Sequence, residues 1–130
     1  MKHFKISQGS YPFSCYLFFG ATHNDVVALL KSKYRLELNC QETEYLKLAE
    51  HETALTMIAS NEIIVQMPEW RLTHEAIADL SHELFHVVSY LFDNIGVEYN
   101  ADSGNEAFAY QLGFLMEAVL SRLQPIGGKQ

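Results

Sequence analysis

His82-Glu83-Leu84-Phe85-His86 lies inside an apolar repeat that predicts one long amphipathic helix. Ile77, Leu80, Leu84, Val87, Val88, Leu91 and Ile95 recur at three- and four-residue steps and make a stripe that faces a core, while Glu75, Asp79, His82, His86, Ser89 and Asp93 fall largely beside or opposite it. Thr73 as N-cap and Gly96 as the C-terminal stop place the helix from about His74 to Asn94. The i, i+4 spacing sets the two imidazoles one turn apart on one face, so His82 and His86 can share a metal ion with Glu83 beside it as general base. In a chain of this composition such a pentapeptide arises by chance only about 0.02 times. Because the helical context agrees as well, the motif is read as chemistry rather than as two surface histidines.

Two histidines leave a metal under-coordinated, and two histidines with one glutamate form a common catalytic zinc set. The third ligand expected is Glu106, in Asn105-Glu106-Ala107-Phe108-Ala109 at the start of the next predicted helix. Ser103 caps that helix, which runs to about Leu123 with Phe108, Leu112, Leu115, Met116, Val119 and Leu123 as its buried stripe. Ala109 and Gly113 are read as the small residues that let the two helices approach closely, with the metal between them. Ser103 and Glu106 also fit a capping box, which would use the same carboxylate to bind backbone. The ligand role is preferred because the metal needs it.

Upstream, Phe13 to Phe19 is apolar on nearly every residue and predicts a strand covered on both faces. Thr22-His23-Asn24-Asp25 opens a short helix to about Lys33. Tyr34, Leu36 and Leu38 alternate with Arg35, Glu37 and Asn39, which predicts a half-exposed strand. Glu42 to Glu52 reads as a loop with at most one helical turn. Ala54 to Ala59 and Glu62 to Met67 are β-rich runs joined by Ser60-Asn61 as a hairpin. The second run, ended by Pro68, is read as an edge strand able to take an extended peptide. The expected architecture is α+β: a small three- to four-stranded sheet, one N-terminal helix and two long C-terminal helices carrying the metal site.

The chain has 130 residues and reads as a single domain with a tail from about residue 124, Pro125-Ile126-Gly127-Gly128 included. A net charge of -7, with only nine Lys and Arg, argues against nucleic acid and against anionic membrane surfaces. Met1-Lys2-His3-Phe4-Lys5 ahead of an apolar run looks superficially like a signal peptide, but the run is short and has no A-x-A exit. No stretch is long enough for a membrane span. Cys15 and Cys40 are expected as free, buried thiols in a reducing, cytoplasmic compartment.

A strand hairpin, the His82-Glu83-Leu84-Phe85-His86 helix, a loop and a helix that begins Asn105-Glu106-Ala107-Phe108-Ala109 resemble the gluzincin metallopeptidases. The likeness is nearer, from Phe13 to about Leu123, to the small zincin-like proteins encoded by phages and prophages. It implies one zinc ion on His82, His86 and Glu106, with Glu83 as base, and identifies no substrate; a peptide or protein substrate is expected from the peptidase reading of the site. The chain departs from the larger enzymes in having Tyr110 where some gluzincins carry an acidic residue, in lacking a second lobe, and in lacking a third histidine at metzincin spacing.

In such a site Glu83 takes a proton from water and passes it to the leaving amine. Tyr90, Tyr110 and Tyr99 are the candidates for stabilising the oxyanion, and Asp79, Asp93 and Glu117 for orienting a ligand histidine. His74 reads as a helix-start residue, and His3, His23 and His51 have no partner visible in the sequence. The expected function is a zinc-dependent peptidase. The alternative is a zinc-binding structural or interaction protein with weak or no turnover, such as a phage assembly factor; it would have no use for Glu83 as a base.

Overall fold

The computed structural model describes residues 1–9, 11–48, 54–59, 61–100 and 104–124. Its centre is β2 (Ser14–Phe19), which has apolar surroundings on both sides. Cys15, Leu17 and Phe19 face one layer, and Tyr16 and Phe18 face the other, the two-sided burial that the unbroken apolar run predicts. β2 pairs antiparallel with β1 (Lys2–Ser7) and parallel with β4 (Glu62–Met67). β4 in turn pairs antiparallel with β3 (Leu55–Ala59), so the mixed sheet runs β1-β2-β4-β3.

Helices cover both faces. On one face α1 (His23–Ser32) and α2 (Cys40–Lys47) bury Val26, Leu30 and Leu46 against Tyr16, Phe18, Met57 and Ile64. On the other, α3 (His74–Ile95) and α4 (Gly104–Leu123) bury Leu80, Leu84, Val87, Val88, Leu91, Phe108, Leu115 and Val119 against Phe4, Leu17, Ile63 and Val65. The chain is therefore α+β, and among the described residues it has a four-stranded mixed sheet and four helices rather than three.

The helix ends follow the sequence. The Thr22 and Asn39 side chains each accept from the backbone N–H three residues on, while Asp25 and Glu42 reach back to complete two capping boxes. Thr73 Oγ1 accepts from Ala76 N, and Gly96 closes α3 at φ 82°, a left-handed conformation that glycine adopts without strain. The expected cap of α4, Ser103, lies outside the described residues, as do Ser60 of the hairpin turn and His51. Ala59 stands opposite Glu62 as that hairpin requires.

Several expectations are corrected. Tyr34 to Leu38 is not a strand: Arg35 is left-handed at φ 59°, and Leu36 N donates to Leu30 O, which ties the segment back to α1. Its apolar side chains cover the α1/α2 layer with no strand partner among the described residues, so alternation here reports one buried side and not a ladder. Glu42 to Lys47 belongs to α2, whose single buried residue, Leu46, left almost no apolar period to read. β1 was not expected, although Phe4 and Ile6 are buried and Lys5 and Ser7 exposed, the plain two-residue alternation of an edge strand.

β4 is not an edge strand either. It lies between β2 and β3, and its backbone is used on both sides. Ala109 and Gly113 are exposed, and a Cβ on Gly113 would meet nothing within 4 Å. The close approach is at Gly104, where a Cβ would run into the Glu98 carbonyl.

Both cysteines are free thiols, Cys15 buried as expected, but Cys40 is exposed because it stands in the first turn of α2, whose single buried residue is Leu46. Among the described residues no helix is long and apolar enough to cross a membrane.

Candidate metal centre

At about 100° per residue, successive side chains of α3 distribute its roles around the helix. Leu84, Val87, Val88 and Leu91 point to the sheet. His82 and His86 fall on the opposite side and are exposed. Between these extremes, Phe85 and Phe92 turn toward α4, where their rings lie 5.9 and 4.8 Å from that of Phe108. Glu83 and Tyr90 turn the other way, toward β3.

His82 Nε2 and His86 Nε2 are 3.2 Å apart, with the ring planes crossed at 82°. Two nitrogens at about 2.0–2.1 Å from one tetrahedral zinc are separated by roughly 3.3 Å, so the spacing of the pair matches that of two ligands on one ion, a distance at which one ring N–H can equally donate to the other ring. Glu83 is 7% exposed despite its place between two histidines that face solvent. Its Oε1 accepts a hydrogen bond of 2.5 Å from Thr56 Oγ1, and its Oε2 lies 4.0 Å from His82 Nε2. One carboxylate oxygen is thus anchored to the sheet, and the other lies on the side of His82.

Glu106 is exposed in the first turn of α4. The described residues contain no group of three His, Cys, Asp or Glu side chains that could hold a metal, so His82 and His86 stand together without Glu106 beside them.

Of the tyrosines, Tyr90 is half-buried in a groove of about 250 Å³ shared with Gln41, Glu42, Tyr45, Met57 and Ile58. Burial, with smaller contributions from Tyr45 and Glu83, pushes its phenol upward, so it stays protonated and able to donate. Tyr110 is 74% exposed, and Tyr99 packs edge-on against Phe108 and Phe85. Asp93 and Glu117 are exposed and Asp79 is half-buried. No hydrogen bond joins any of the three to His82 or His86 among the described residues.

Thr56 is the site residue that sequence reasoning missed. A threonine in a β-rich run is an ordinary strand former, and nothing local shows that its hydroxyl meets a glutamate 27 positions away. His3, with no partner visible in the sequence, bonds Tyr34 Oη at 3.1 Å.

No protein-family model, curated protein or solved structure matches this chain. What can be said of its chemistry rests on these side chains.

Proposed function

We propose that the protein is a zinc-dependent peptidase with a zincin-like arrangement, in which His82 and His86 would hold the metal, Glu106 would join them through a shift of the first turn of α4 because it does not stand beside them, and Glu83 is the general base. The observation that carries the reading is the buried Glu83 carboxylate, with one oxygen fixed by Thr56 and the other 4.0 Å from His82 Nε2 in a histidine pair spaced for zinc. A histidine pair with a merely structural role would have no use for a buried carboxylate aimed at it.

Zinc bound there would act as a Lewis acid and lower the pKa of a coordinated water to about 7. His82 and His86 would hold the metal through Nε2, and Glu106 would supply the carboxylate ligand. Glu83 Oε2 takes the proton from the attacking water and returns it to the amine nitrogen as the peptide bond breaks. Tyr90, kept protonated and on the β3 flank of α3, is the tyrosine best placed to donate to the developing oxyanion. Tyr110 has no such setting.

The test is hydrolysis of labelled casein by zinc-supplied wild type and Glu83→Gln. The expected result is turnover by the wild type, sensitive to a chelator, and a loss of at least about 100-fold in Glu83→Gln. Equal rates in the two proteins would overturn the assignment.

A further inference from the structure

We propose that Thr56 is a positioning residue for Glu83, its hydroxyl holding Oε1 so that Oε2 faces the His82–His86 pair. The role rests on the peptidase reading and goes beyond it, because the reading requires a base but not a second residue to aim it.

Thr56 sits on β3, at the end of the sheet nearest Glu83 and Tyr90, opposite Val65 of β4. Its neighbours Leu55 and Met57 point into the α1/α2 layer, so strand alternation sends Thr56 to the α3 side. It is 5% exposed. A β-branched side chain on a paired strand has little χ1 freedom, and its hydroxyl is therefore placed by the sheet rather than by solvent. The hydroxyl has one proton to give. The Glu83 carboxylate at 2.5 Å receives it, since the Glu83 backbone carbonyl is farther away at 3.4 Å.

Among the described residues Thr56 is the one donor to that carboxylate. Without it, a glutamate side chain 10% exposed would have no anchor on the sheet side, and both oxygens could turn to whatever water reaches them. Glu83 lies on a helix and the substrate must lie in front of it, so the strand behind the glutamate fixes its rotamer.

The experiment compares wild type, Thr56→Val, Thr56→Ser and Glu83→Gln. The first measurement is made on metal-free protein: the carboxylate stretching band of Glu83, isolated by infrared difference against Glu83→Gln. The band is expected to shift in Thr56→Val and to keep its place in Thr56→Ser. The second measurement uses zinc-supplied protein and initial rates on a concentration series of labelled casein. Thr56→Val is expected to keep the wild-type zinc content and KM and to lose on the order of ten-fold or more in kcat, as misplaced catalytic groups do, while Thr56→Ser retains activity.

An unshifted band, an undiminished kcat in Thr56→Val, or an equal loss in Thr56→Ser would each overturn the positioning role. A zinc-loaded wild type that cuts nothing overturns the peptidase reading and this role with it. That result is told apart from the others because every variant is then equally silent.

Discussion

A glutamate between two solvent-facing histidines would ordinarily be solvated, and Glu83 is buried because a quarter turn of helix carries it from the outer face of α3 to the flank beside β3. Other single residues show the same control by surroundings. His3 stacks on Phe18 and bonds Tyr34, and burial, with the charge of Lys33 adding to it, pulls its imidazole below the ordinary 6.5. A folded pKa below the unfolded one means that the unfolded chain binds the proton more readily, so this contribution is fully present above about pH 6.5, the unfolded value, and is lost as pH falls from there through the lower folded pKa. The melting temperature should therefore drop between about pH 7.5 and about pH 5.5, and the drop should be smaller in His3→Gln. Calorimetry at the two pH values checks this.

The two thiols differ in the same way. Burial, with Glu62 nearby, drives the Cys15 thiol strongly upward, whereas Cys40 is exposed at the start of α2. An aromatic disulfide reagent should label Cys40 at once and Cys15 only on unfolding. Rapid labelling of both would contradict the packing around β2.

At the scale of elements, legibility in the sequence followed the range of the cause. α3 could be read almost to the residue because its period, its Thr73 cap and its Gly96 stop all lie within one stretch. α2 could not: it is short, has one buried residue and depends on the sheet behind it. Tyr34 to Leu38 alternates like a strand because it lies over an apolar layer, but pairing needs a free ladder, which alternation cannot show.

The glycines of α4 make the same point and can be tested together. Gly113 was expected at a close helix contact and is exposed with open space around it, whereas Gly104 packs on the Glu98 carbonyl. Gly113→Ala should stabilise the protein by about 1 kcal/mol through helix propensity. Gly104→Ala should destabilise it by about 1–3 kcal/mol, because backbone must shift to admit the methyl group. Urea denaturation midpoints of the two variants should move in opposite directions, and Gly104→Ala should also disturb the first turn that carries Glu106.

For the whole molecule, the sheet order decides what the histidine motif has near it. Placing β3 at the end of the sheet brings Thr56 under Glu83 and sets Met57 and Ile58 in a groove with Tyr90. None of this could be read from the sequence, because strand order links residues far apart in the chain. The histidine pair was legible because its geometry is internal to one helix. Glu106 is the opposite case, since its distance from that pair depends on how α4 returns after α3.

The most direct measurement is therefore the zinc content of wild type, Glu83→Gln, His86→Ala and Glu106→Ala, by elemental analysis after supply of zinc and desalting. About one zinc per chain is expected in wild type and Glu83→Gln, with loss of the metal in His86→Ala and Glu106→Ala. No stoichiometric metal in the wild type would contradict a metal site at the histidine pair.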